Sequence, residues 1–268
     1  MTVQALYSAA TGMTALETKL DVIANNLANI ETTAFKRGRA NFEDLFYRHE
    51  KMPGAEDSAG QLTPTGISIG LGTRVSSIQT EFRQGAFKET GSQLDIAIEG
   101  PGFFQVTDPA TGNPVYTRAG NFSVNAEGQV VMGSANTGRL LQPNITIPQD
   151  ATGIVVSSEG KVSVRQPGQT KMNQVGTIEL VSFVNPEGLL KLGENLYAET
   201  DASGAPRNGT PGQDGLGVLR QSVLEASNVE PVSELIDLIT TQRAFELNSQ
   251  AVQAGDQIMQ VVANIRRA

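Results

Sequence analysis

The sequence predicts a mixed α and β protein, in which N- and C-terminal helices pair as a coiled-coil domain and a central all-β domain is inserted between them. Apolar residues near the start recur at alternating spacings of three and four, and a second seven-residue repeat closes the chain. Between them the period falls to two, and 28 Gly and 12 Pro in 268 residues mark frequent turns. The boundaries that follow are residues 1–33 with 227–268 for a terminal-helix domain, 34–72 for a connecting segment and 73–226 for the β domain.

The first helix is expected over residues 2–31. Leu6, Met13, Leu20 and Leu27 form one row of its seam, and Ala9, Leu16, Ile23 and Ile30 the other. Thr32 and Thr33, β-branched and followed by Phe35, end it.

The connecting segment fits neither period. Lys36, Arg37 and Arg39 lie beside Phe35, Phe42, Leu45 and Phe46, a short packed stretch whose basic rim is expected on a solvated or intersubunit face. A loop at residues 51–66 is rich in Gly, Pro, Ser and Thr.

In the β domain, Leu94, Ile96 and Ile98 alternate with Asp95, Ala97 and Glu99. Turn signals then separate strands expected at 103–106, 115–118, 122–124 and 129–132. Ser158-Glu159-Gly160 joins 154–157 to 161–165 as a hairpin, and longer strands are expected at 175–184 and 217–226.

The last helix begins after Pro231, with Ser227 and Asn228 as candidate caps. Leu238, Phe245, Val252 and Met259 repeat every seven residues. Leu235, Ile239, Ala251, Val262 and Ile265 widen the stripe, while Gln242, Ser249 and Asp256 interrupt its second row.

Helix faces turned to water are normally rich in charge. Residues 1–30 carry only Glu17, Lys19 and Asp21, and residues 231–264 only Glu234, Asp237, Arg243, Glu246 and Asp256. Such helices suit neighbours on several sides. Both are therefore expected to be weakly ordered in the free monomer and fixed on assembly.

Composition removes much chemistry. Without Cys there is no thiolate metal site or thiol nucleophile, and one His, His49, leaves no two-His metal centre. The formal charge of -8 disfavours nucleic-acid binding, which needs a basic excess. No run approaches the roughly 20 apolar residues of a membrane-spanning helix, and the first charge, Glu17, leaves no basic signal-peptide start. Export without a cleaved signal is the expectation.

The Gly-x-Gly pairs at Gly70, Gly100 and Gly215 complete no phosphate loop. Asp95 and Glu99 stand about 13 Å apart along one strand face, beyond the roughly 5 to 9.5 Å of a glycosidase pair. Asp201 and Asp214 lack calcium-loop spacing, and His49 has no partner motif. No catalytic, metal or cofactor residue is assigned, and no cofactor is expected. A β-rich binding module with a private helical stalk would need charged outer helix faces, which are missing. A carboxylate hydrolase would lose turnover on one Asp or Glu change.

Ala24-Asn25-Asn26-Leu27-Ala28-Asn29, followed by Thr32, Thr33, Phe35 and Lys36, resembles the signature of the bacterial flagellar axial family of rod and hook proteins. Ser227-Asn228-Val229 and Thr241-Gln242-Arg243-Ala244-Phe245-Glu246 resemble that family's other end. Gly102-Phe103-Phe104-Gln105-Val106 and Tyr116-Thr117-Arg118-Ala119-Gly120-Asn121-Phe122 are similar to its middle. Within the family, residues 47–72 resemble the extra segment of the distal-rod branch, as against the proximal-rod and hook branches.

The resemblance implies a structural subunit whose terminal helices pack with other copies as an inner tube, with the β domain outside. It implies a straight shaft carrying torque from motor to hook, and a periplasmic place in the basal body. The implied partners are further copies, proximal-rod and hook-side proteins, the outer ring bushing and the type III export apparatus. The implied self-assembly residues are Leu6, Met13, Leu16, Leu20, Ile23, Leu27 and Ile30, with Leu235, Leu238, Phe245, Val252 and Met259. Asn25, Asn26 and Asn29 would satisfy polar groups between helices or else terminate the first helix.

Overall fold

The computed structural model describes all residues except 1, 55–61, 63, 134–137, 170 and 266–268. It is a mixed α and β structure, with an N-terminal helix, a β-rich middle and a C-terminal helix. The chain divides into two compact units. The first is Met1–Ala28, Gly38–Thr80 and Glu230–Ala268; the second is Asn29–Arg37 with Glu81–Val229.

In the first unit, α1 (Thr2–Ala28) packs along α2 (Pro231–Ile265). It also lies on an antiparallel pair, β1 (Gly38–Asp44) and β4 (Thr73–Thr80), which differ in register by a bulge after Asn41. Between those strands β2 (Tyr47–Lys51) and β3 (Ile67–Gly70) form a separate two-stranded hairpin.

Helix α1 stops sooner than the sequence suggests, at Ala28, because Asn29 closes a turn on Thr32 through Thr32 N–H to its carbonyl (3.3 Å) and Thr32 Oγ1 to its Oδ1 (3.1 Å). Ala34, at φ 56°, then holds a left-handed conformation that no helix continues. At α2 the first helical bond runs from Glu234 N–H to the carbonyl of Glu230 (3.0 Å), so Glu230 caps the helix. Ser227 and Asn228, the expected caps, are engaged elsewhere: Ser227 Oγ accepts from Val229 N–H, and the Asn228 side chain accepts from Arg37 N–H and donates to the carbonyls of Glu81 and Arg83.

The second unit is built on a seven-stranded antiparallel sheet. Its order is Leu190–Gly193, Leu196–Ala198, Pro114–Thr117, Phe104–Thr107, Gly138–Gln142, Val130–Gly133, Phe122–Val124. A three-stranded sheet adds Gly153–Val156, Lys161–Arg165 and Asn173–Thr177, which includes the expected hairpin. The main core gathers Ile96, Ile98, Phe104, Val106, Leu141, Ile145 and Leu180. Few as they are, the aromatics concentrate: Phe103, Tyr116, Phe183 and Tyr197 form a second cluster, with Tyr116 edge-on to Phe183 at 4.8 Å between centroids.

Two expected long strands are each broken. Residues 175–184 divide between Asn173–Thr177 and Leu180–Ser182, in different sheets, with buried Ile178 between them donating its N–H to Gly160 O (2.7 Å). Residues 217–226 divide at Ser222, φ 61°, so that Val218–Gln221 pairs with Ile96–Glu99 and Val223–Glu225 with Phe87–Glu89. Ala97, expected on a polar face, is buried like Ile96 and Ile98, because this strand is covered on both sides.

Candidate functional site

The first unit's helices run antiparallel, since Leu6 meets Gly255, Gly12 meets Asn248 and Asn26 meets Glu234. On α2 the inward row is Glu234, Leu238, Thr241, Phe245, Asn248, Val252 and Gly255, each buried or half-buried. Their spacing alternates four and three, as a helix pair requires. Leu238, Phe245 and Val252 thus lie where the repeat suggests, whereas Met259 is 39% exposed.

The second row is not the interrupted one at Gln242, Ser249 and Asp256. It is Thr241, Asn248 and Gly255, small or polar because the helices approach closely. A Cβ at Gly255 would collide with the tip of Leu6, and one at Gly12 would stand 3.1 Å from Asn248 Nδ2. The spacing would have revealed this row had small and polar residues been counted with apolar ones.

On α1, Ile23 is buried, while Leu6, Met13, Leu16, Leu20 and Leu27 are half-buried; Ile30, expected on the helix, is half-buried in the turn after it. Ala15, which the seam omitted, is buried. The three asparagines separate by role. Asn26 is buried; its Nδ2 donates to Gly38 O (2.9 Å) and Glu234 Oε2 (3.3 Å), and its Oδ1 accepts from Gly38 N–H (2.9 Å). It therefore joins α1 to both β1 and α2. Asn29 makes the turn after the helix, and Asn25 is exposed.

Opposite the inward row, α2 carries a second apolar face. Val232, Leu235, Ile236, Ile239 and Leu247 are exposed, Ile236 at 56% and Leu247 at 65%. Beyond Gly255, where Leu6 marks the start of α1, Ile258, Met259, Val261 and Ile265 are exposed as well. The side chain of Val262 lies outside the described residues. A soluble helix rarely shows two apolar faces unless the outer one is covered by another chain.

The hairpin of β2 and β3 carries exposed apolar residues of its own. Phe46 is 87% exposed, and Tyr47, Met52, Leu62 and Ile67 are exposed beside it. A lone two-stranded hairpin is marginal in water. The expected loop at 51–66 is its connection, of which 55–61 and 63 lie outside the described residues. An open cavity of about 550 Å³ at its base is lined by Glu43, Asp44, Leu45, Phe46, Tyr47, His49 and Arg74. His49 Nδ1 lies 2.9 Å from Ser68 Oγ in an exposed pair.

Lys36, expected on a basic rim, is instead fully buried in the second unit, 2.6 Å from Glu225 Oε1. Arg118 Nε donates to Glu225 Oε2 (3.0 Å), and its Nη1 donates to the carbonyls of Gly100 and Gly102. Those glycines therefore offer oxygens to a guanidinium, the reverse of a phosphate loop, which offers N–H groups. Glu99 faces Arg220 at 3.7 Å, an ordinary surface pair. Among the described residues no group of three or more His, Cys, Asp or Glu could hold a metal ion, and no described helix is long and apolar enough to cross a membrane.

Three family models match the chain. They are described as the flagella basal body rod protein, over residues 6–36, the flagellar hook protein FlgE/F/G D1 domain, over 97–164, and the flagellar basal body rod FlgEFG protein C-terminal, over 220–265. The flagellar basal-body rod protein FlgG of Caulobacter vibrioides is 45% identical over 264 residues, 98% of this chain and 99% of that protein. FlgG of Bacillus subtilis is 38% identical, with 98% of this chain and 99% of that protein covered. The rod protein FlgF of Caulobacter vibrioides is 35% identical, covering 90% of this chain and 89% of that one.

Proposed function

We infer the role from one fact: this chain belongs to the family of flagellar hook and basal-body rod proteins. It is a structural subunit of the basal-body rod, of the distal-rod kind. Copies assemble through residues 1–33 and 227–268, with α1 and α2 forming coiled-coil contacts within and between subunits, into a straight helical shaft that carries torque from motor to hook. Its work is mechanical, not chemical. Proximal-rod and hook-side proteins adjoin the shaft in the periplasm, the outer rings surround it as a bushing, and the export apparatus delivers the subunit without signal cleavage. Residues 34–72 act as a connecting segment whose loop stiffens the shaft, and residues 73–226 form the β domain.

The observation that supports contact between copies is the second apolar face of α2. Seam positions such as Leu20, Ile23, Leu238 and Phe245 hold the helices together, and Leu235, Met259 and their neighbours meet the next copy. The test is Ile236→Asp combined with Ile239→Asp. Both side chains are exposed, so the free chain's melting point is expected to hold, with changes within about 0.5 kcal/mol. Sedimentation is expected to show loss of filaments, and circular dichroism to show helix gained only when the unaltered chain assembles. Filaments of normal length from the double variant would overturn the proposal.

A further inference from the structure

The buried cluster around Lys36 joins parts of the second unit that are far apart in the chain. Lys36 Nζ donates to Arg83 O (2.9 Å) and to Glu225 Oε1 (2.6 Å), which also accepts from Gly85 N–H (2.9 Å). Arg118 takes the other oxygen and donates onward to the carbonyls of Ile98, Gly100 and Gly102. Alongside, Ala34 N–H donates to Glu225 O (2.8 Å), and Asn228 links Arg37, Glu81 and Arg83 through its amide.

Its charges are poorly matched for stability. Two cations and one anion share a site from which water is excluded. Burial lowers the Lys36 ammonium to about 8, although Glu225 beside it pulls the other way, so desolvation outweighs attraction there. What the cluster does have is direction. Apolar side chains slide past one another at little cost, but a buried carboxylate displaced from its donors is left uncompensated. Segments 33–37 and 83–85 lie outside every strand, and the ladder of Val223–Glu225 with Phe87–Glu89 ends at Glu225, so beyond that pair only scattered backbone bonds and the side-chain cluster fix their alignment.

We propose that the Lys36, Glu225 and Arg118 cluster is a specificity lock, which admits a single alignment of these three segments and is retained for that purpose and not for the stability it adds. Replacing it whole with apolar residues is then tolerated energetically but not conformationally.

The test compares Lys36→Met with Glu225→Leu and Arg118→Met, made together, against Glu225→Leu alone. The single change leaves both cations buried without their anion and is expected to melt well below the parent. The triple variant is expected to melt at or above the parent, while amide NMR shows more than one peak for residues at 33–37, 83–85 and 225–228. A second set, Lys36→Leu with Glu225→Met and Arg118→Leu, guards against one poor fit. The proposal is overturned if both triple sets melt no higher than Glu225→Leu or fail to fold, because the cluster then supplies stability. It is equally overturned if they give one sharp, parent-like peak for each of these amides.

Discussion

Replacing Asn26 by Ala should unravel the junction of α1, β1 and α2. The side-chain amide satisfies both the N–H and the C=O of Gly38 at 2.9 Å, and adds a 3.3 Å bond to the buried carboxylate of Glu234. Alanine supplies none of these. An unpaired buried backbone group costs about 1 to 3 kcal/mol, so losing both bonds to Gly38 should cost roughly 2 to 6 kcal/mol. For a domain of this size that lowers the melting point by several degrees, read as loss of the helix signal in circular dichroism. Asp21→Ala, at an exposed position of the same helix, is the control and should change stability by less than about 0.5 kcal/mol. Asn26→Asp should be as damaging as alanine, because it keeps the acceptor for Gly38 N–H but sets a second carboxylate against Glu234. Equal melting of the Asp21 and Asn26 alanine variants would refute this account of the junction.

Gly72→Ala should destabilise the first unit by roughly 2 to 4 kcal/mol in urea titration, because Gly72 has φ 118° and a methyl there would strike Thr11 Oγ1. Stability should also follow the buried charges. Burial pushes the Glu225 carboxyl up, but Arg118, Lys36 and Gly85 N–H hold it below its ordinary value of 4.5. The folded chain then binds fewer protons than the unfolded one, and this contribution, present above 4.5, is lost as pH falls through the lowered value. Lys36, lowered from 10.5 to about 8, likewise binds fewer protons when folded, so its contribution should rise between those values. A urea midpoint that changes with pH identically in Lys36→Met and the parent would contradict this. Leu238→Asp should abolish assembly in sedimentation, whereas His49→Ala should leave it intact. Deleting residues 51–66 should give filaments that bend more easily under electron microscopy, and unchanged stiffness would remove the loop from the shaft's design.

What the sequence by itself determined was local and periodic. The alternating three and four spacing placed α1, a seven-residue repeat placed α2, the scarcity of charge suggested helices with neighbours, and Gly-rich turns marked strands such as Phe122–Val124 and Lys161–Arg165. The motif around Asn26 and Lys36 was enough to indicate the family. Partners across the chain belonged to the tertiary structure alone. Asn26 meets Glu234 across 208 positions and Lys36 meets Glu225 across 189, and no local pattern encodes such a meeting. Hence Lys36, which looked like a surface cation, is buried, and Thr241, Asn248 and Gly255 turn out to accompany Leu238, Phe245 and Val252 on the inward face of α2. Periodicity records which side of a helix avoids water. Only packing decides whether a small or polar residue on that side is there because another helix comes close, and whether a charge has found its opposite.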